Sequence, residues 1–191
     1  MTVPKPVDLT YELPPAVKKL HEGWMGTLQS GAVVSSIIAG VEAQLLVFYN
    51  DKGSFGTPDT DPPSVIQVVL EILTYIALVC SVSATITSLL LTDEFGEIPT
   101  RSARGRDART EGGQFAGTDF TILRSFRLRR GSEIVMYHWL FSILIATLCT
   151  IISTAIFVIM QKPLAAQVIV TTVTILSVLP ILWYFLGSGN D

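Results

Sequence analysis

Charge is scarce in this chain, and cysteine and histidine are scarcer. Only 15% of the 191 residues are charged, against about 25% in an ordinary soluble domain. The two cysteines, Cys80 and Cys149, both fall inside apolar runs, where a cysteine packs as a small apolar side chain, so a disulfide framework is excluded. The two histidines, His21 and His138, are too few for a metal centre, and no metal or cofactor is expected. The chain carries no G-x-S-x-G elbow, P-loop, H-E-x-x-H or paired-cysteine zinc pattern, so no catalytic residue is assigned and a non-enzymatic protein is expected. There is no N-x-S/T sequon to report sidedness. With four prolines and several charges in the first 30 residues, no cleavable signal peptide is expected, and the first apolar run is expected to serve as an uncleaved anchor.

Apolar residues make up 49% of the chain, gathered in long runs. Val65–Leu91 carries one charge in 27 residues, Ile134–Met160 carries none, and Leu164–Leu186 carries none in 23. A helix needs about 20 such residues to cross a hydrocarbon core. Leu28–Tyr49 is shorter and less apolar. The expected fold is therefore all-α, an integral membrane four-helix bundle with spans near 28–49, 65–91, 134–160 and 164–186. Residues 1–27 form an N-terminal segment and 187–191 a tail. Loop 92–133 is long and cytosolic.

Orientation follows from lysine and arginine near the span ends. Loop 92–133 holds eight arginines and the N-terminal segment holds Lys5, Lys18 and Lys19, while the opposite side has only Lys52 and Lys162. Both termini are thus expected in the cytosol. Trp24, Trp139 and Trp183 fall at the cytosolic interface in this topology, and Tyr49 marks the opposite face.

Pro14-Pro15 stands where a helix can start, and Val17, Leu20, Trp24 and Leu28 recur at helical spacing. A short N-terminal interfacial helix is expected there. Only Gln161-Lys162-Pro163 separate the last two runs, so the third helix should stop before Met160 to leave room for the turn. Within the arginine-rich loop, Arg101–Gly117 is poor in apolar residues and is expected to be flexible. Asp119–Arg130 instead interleaves Phe120, Ile122, Leu123, Phe126 and Leu128 with Arg124, Arg127, Arg129 and Arg130. Such a segment suits the surface of an anionic leaflet, which makes those four arginines candidate lipid-headgroup contacts. The same positive-inside bias accounts for the arginines without nucleic acid, and no nucleic-acid partner is expected. Arginines next to Asp93, Glu94 and Glu97 supply simpler partners for that acidic patch than a cation does.

Polar residues inside the runs are not scattered. Gln67, Glu71, Thr74, Ser81, Thr85 and Ser88 trace one stripe, and His138, Ser142, Ala146, Cys149 and Ser153 another. Gln167, Thr171, Thr174 and Ser177 follow in the last run, and Ala32, Ser36 and Gly40 give small-xxx-small spacing beside Ser35, Ala39 and Glu42 in the first. Stripes of this kind let helices approach closely and exchange hydrogen bonds. Glu42 and Glu71 each lie about 10 Å below the far surface at 1.5 Å per residue. Facing one another they would titrate as a coupled pair, carrying protons or a cation, or locking the first hairpin with a hydrogen bond. Pro180 removes a backbone donor in the last run and should kink or loosen it.

The stretch LTYIALVCSVSATITSLLLTDEFGEIP, the arginine-rich loop and YHWLFSILIATLC resemble a family of small multi-pass membrane proteins encoded in many copies by mushroom-forming fungi. Ser83–Leu91, Gly96-Glu97-Ile98-Pro99 and His138-Trp139 carry the resemblance, with a further likeness around Leu28–Asn50, so it covers most of residues 20–186. Asp93-Glu94 departs from the family's more basic step. The resemblance implies a membrane location and a fungal origin and supplies no activity. Taken together, the expectation is a non-catalytic membrane protein acting by assembly, scaffolding or modulation of partners, itself included as a homo-oligomer. The alternative is a proton-coupled transporter using Glu42 and Glu71.

Overall fold

A computed structural model describes residues 12–51, 64–104, 119–126, 128, 129 and 131–187; at 104, 119, 120 and 181–187 the backbone alone is described. Six helices and no strand occur among these residues: α1 Pro15–Asn50, α2 Val65–Gly96, α3 Ile98–Arg104, α4 Asp119–Ser125, α5 Ser132–Gln161 and α6 Leu164–Gly187. Three of them, α1, α2 and α5, are long and apolar enough to cross a membrane, and the apolar stretch Leu164–Pro180 of α6 is shorter. Arg127, Arg130, Lys52, Arg106 and Arg109 lie outside the described residues.

Local chemistry sets the helix ends. The Pro14 carbonyl accepts the first helical bond, from Lys18 N at 2.9 Å, and Pro15 fills the first helical position, where its missing N–H costs nothing. From there α1 runs unbroken for 36 residues, about 54 Å at 1.5 Å per residue. The residues expected to form a short interfacial helix are the leading part of this single helix rather than a separate element. At the other hairpin α5 continues through Gln161 instead of stopping before Met160. The reason is Gln167, whose Nε2 donates to the carbonyls of Ile159 at 2.9 Å and Lys162 at 2.8 Å and so satisfies acceptors that a helix end leaves open.

Two compact units divide the chain. Met1–Ser35 with Ser83–Phe141 form the first, and Ser36–Val82 with Ser142–Asp191 form the second. Along α2 the buried residues are Gln67, Leu70, Thr74, Ala77, Ser81, Ala84, Ser88, Leu91 and Phe95. Their spacing alternates 3 and 4, the seam of a heptad helix. The first unit has an apolar core of Leu28, Leu91, Phe95, Ile98, Leu123, Phe126, Leu128 and Trp139. The buried positions of the second include Glu42, Gln67, Thr74, Ser81, Ser142 and Ser153, while Val41, Val47, Val69, Ile72, Val79, Ile152, Val173 and Leu176 are exposed. Polar inside and apolar outside is the reverse of a water-soluble domain. In hydrocarbon it is the stable arrangement, since lipid tails solvate the aliphatic faces and interhelical contacts satisfy the polar ones.

Several expected positions move. Trp139 is buried against protein, its indole on Gly31, where an added Cβ would overlap Cζ2 and come within 3.2 Å of Cε2. Tyr49 is buried as well. Ser36 and Gly40 face outward, and no neighbour lies within 4 Å of a Cβ placed at Gly40; beyond Val17 the buried residues of α1 are Leu28, Ser35, Glu42 and Tyr49, one every seven residues. Leu123, Phe126 and Leu128 belong to the core of the first unit instead of facing lipid, held by Ser102 Oγ donating to the Phe126 carbonyl at 3.2 Å. The first four residues of Arg101–Gly117 are helical.

Candidate functional site

In the second unit the polar seam groups of α2 are spent on protein partners. Gln67 Nε2 donates to the Tyr49 carbonyl at 3.0 Å, joining the ends of α1 and α2. Thr74 Oγ1 donates to the Leu70 carbonyl at 2.8 Å and Ser81 Oγ to the Leu78 carbonyl at 3.0 Å. Phe157 of α5 completes an aromatic corner with Phe48 and Tyr49, its ring centroid 5.4 Å and 5.7 Å from theirs.

Glu42 is the exception. It is 0% exposed, and neither carboxyl oxygen has a hydrogen-bond partner. Thr150 of α5 approaches the carboxyl, but its hydroxyl hydrogen goes to the Ala146 carbonyl at 2.8 Å. Tyr49 and Cys149 are the titratable groups that the Glu42 charge reaches. The expected partner does not engage it: Glu71 makes no hydrogen bond to the Glu42 carboxyl and is half-buried beside the seam. The coupled pair is therefore replaced by a solitary acid facing Thr150, a residue outside the stripe expected for the third span. Its signal was the spacing of Thr147, Thr150 and Thr154 beside that stripe.

Thr150 also lines an outward-open, mostly apolar cavity of about 320 Å³ between α5 and α6, shared with Thr154, Thr174 and Ser177 and otherwise walled by Ile151, Ile169, Val170 and Val173, of which Ile169 and Val173 are exposed.

In the first unit the contacts are structural. Ser88 Oγ donates to the Leu28 carbonyl at 2.5 Å, Ser35 and Thr85 share a hydroxyl bond of 2.8 Å, and His138 Nε2 meets Ser83 Oγ at 3.0 Å. His21 Nε2 donates to the Phe95 carbonyl at 2.9 Å. Arg101 bridges Glu94, at 2.5 Å, and Glu97, as the acidic patch led one to expect. Burial alone would push Glu94 up, but the Arg101 hydrogen bonds and charge, with the Arg129 N–H at 3.3 Å and the Arg129 charge, hold it below the ordinary carboxylate range. Its hydrogen bonds to Glu94 in turn raise Arg101. Arg124 and Arg129 are exposed, and Arg129 borders a second cavity of about 320 Å³ with Asp93, Glu94, Gly131 and Ser132. Among the described residues no group of histidine, cysteine, aspartate and glutamate could hold a metal.

These features define a membrane-embedded helical protein. No protein-family model, curated protein or solved structure matches the chain.

Proposed function

We propose that the protein is a four-span integral membrane protein with both termini in the cytosol, acting without catalysis by assembling with or modulating partners in the bilayer. The observation that supports this most directly is the α2 seam, whose Gln67, Thr74, Ser81 and Ser88 all donate to protein carbonyls. A lined solute pathway needs polar groups left for its cargo, and a seam closed on itself provides helix packing instead. The fourth span in this reading is α6, whose 24 residues reach about 36 Å at 1.5 Å per residue. Arg124 and Arg129 contact anionic headgroups of the cytosolic leaflet, each basic residue near the surface contributing about 1 kcal/mol. The resemblance to the fungal family agrees with a membrane location and adds no activity.

Reconstituted into sealed vesicles, the purified chain should conduct no ion or solute flux above protein-free vesicles under an imposed pH gradient. Flux that Glu42→Gln abolishes would replace this reading with a proton-coupled transporter.

A further inference from the structure

The unpartnered acid of α1 and the cavity beside it carry an inference beyond assembly. Glu42 is wholly buried with both carboxyl oxygens unpartnered. As an anion it would sit in the interior with four lone-pair sites and no donor, the costliest state a carboxyl can occupy. Nearby hydroxyl hydrogens are committed elsewhere: Thr150 donates to the Ala146 carbonyl, while Ser153 at 3.0 Å and Thr154 at 2.8 Å donate to the Thr150 carbonyl. The uncharged acid reverses the requirement. It has an O–H to donate, and the Thr150 oxygen beside it retains a lone pair to accept. A hard cation is a poorer match, because it needs several oxygen ligands at once and Thr150 is the one hydroxyl acting on the carboxyl.

Thr150 also opens the way out. It belongs to the wall of the 320 Å³ cavity between α5 and α6, together with the hydroxyls of Thr154, Thr174 and Ser177. Water occupies about 30 Å³ per molecule in the liquid, so that open, mostly apolar space has room for water, with the four hydroxyls as its polar partners.

We propose that Glu42 is a proton-binding site within the membrane that exchanges its proton through Thr150 and the α5–α6 cavity. In the outward step the Glu42 O–H proton passes to Thr150 Oγ1, which gives its own hydrogen to a cavity water; carboxylate and hydronium result, and the return step reverses both. The titratable groups facing Glu42 are Tyr49 on α1 and Cys149 on α5, the latter also interacting with Cys80 of α2. The described side chains of α6, Leu164–Pro180, include no titratable group.

The test is pH-difference infrared spectroscopy on the full chain in phosphatidylcholine vesicles, reading the carbonyl stretch of a protonated carboxylic acid and its shift in D2O. That band should titrate, exchange in D2O, vanish in Glu42→Gln and persist in Glu71→Gln. Thr150→Val should slow its exchange at least tenfold. A band that survives Glu42→Gln, or a Glu42 band that neither titrates nor exchanges, overturns the proposal, and unaltered exchange in Thr150→Val overturns the route. Should Glu42→Gln fail to insert, dicyclohexylcarbodiimide on the unaltered chain decides: an adduct at Glu42 that disappears as pH rises supports the site, and no adduct at any pH refutes it. Proton exchange does not rest on the assembly reading, because that reading stands or falls on vesicle flux.

Discussion

Two glycines of α1, nine residues apart, should answer the same substitution in different ways. Gly31 lies under the Trp139 indole, where a methyl group would overlap Cζ2 and stand 3.2 Å from Cε2 and 3.4 Å from Nε1. Gly40 meets nothing within 4 Å. In water, Gly→Ala within a helix gains about 1 kcal/mol of propensity, but in a bilayer the separated helix is already formed, so most of that gain cancels between folded and dissociated states. Gly40→Ala should therefore stay within about 0.5 kcal/mol of the parent. For Gly31→Ala the obstacle is a rigid ring, 6% exposed, that cannot swing away as a flexible aliphatic tip could. Overpacking of this kind costs about 1–3 kcal/mol, or a factor of roughly 5 to 150 in the folded population at 1.4 kcal/mol per decade.

The assay is reversible unfolding in mixed micelles, followed by the near-ultraviolet signal of the tryptophans as the denaturing detergent fraction rises. Trp139→Leu supplies the second arm. It loses ring burial on its own account, but in its background Gly31→Ala should become close to neutral, giving a coupling of about 1–2 kcal/mol across the cycle. If Gly31→Ala proves as silent as Gly40→Ala, or costs the same with and without Trp139, the close helix contact at this level is wrong.

Four further outcomes are expected. Arg101→Ala should cost about 1–2 kcal/mol, between a charged hydrogen bond and an exposed ion pair, since Glu94 is only 14% exposed at its side chain; thermal unfolding in detergent reads it. Because Glu94 is held below its ordinary value of 4.5, its contribution is complete above that pH and is lost as pH falls through the depressed value; the melting temperature of the parent should drop on acidification and that of Arg101→Ala should drop less. Glu42→Met should be neutral or mildly stabilising in the same micelle titration, because it removes a buried group with no partner to orphan; a loss above about 2 kcal/mol would mean an unseen partner. Single cysteines placed at Arg104 and at Lys52, in a background with Cys80 and Cys149 replaced by alanine, should react with an impermeant maleimide from opposite sides, and lumenal or extracellular labelling at Arg104 would reverse the topology.

The helices were legible because run length and hydropathy are one-dimensional properties. The facing of side chains is not. Glu42 and Glu71 match in depth, which needs only a count of residues, but at 3.6 residues per turn one position changes azimuth by about 100°. On α2 the buried register runs through Leu70 and Thr74, and Glu71, one residue past the first, turns to its flank. A stricter seven-residue period was present in the sequence: Gln67, Thr74, Ser81 and Ser88 on α2, and Leu28, Ser35, Glu42 and Tyr49 on α1. Glu71 and Thr85 lie one turn off that period, on the flank of the stripe, so equal depth does not bring Glu71 onto the face that holds Glu42. The same period turns Tyr49 inward on α1, and Ser132, Trp139, Ala146 and Ser153 repeat it on α5. Tyr49 and Trp139 both have the amphipathic rings that belong at a headgroup level, and nothing local separates an interfacial ring from one turned inward; a glycine opposite, at Gly31, is what admits the second.

Burying a lone acid beside an α2 seam whose Gln67, Thr74, Ser81 and Ser88 each have an acceptor weakens helix contacts that need only packing. Glu42 occupies the third of four heptad positions on α1, a place that leucine or methionine would fill at no electrostatic cost. A residue of that kind inside a membrane marks function by default. In the second unit it also has the Thr150 hydroxyl beside it, itself part of the wall of the open cavity between α5 and α6. If proton exchange at Glu42 occurs without flux, the acid is best understood as a sensor: gaining or losing one charge on the seam of α1 changes the desolvation cost of packing that helix against Thr150 and α5, and hence what the assembled bundle presents to a partner.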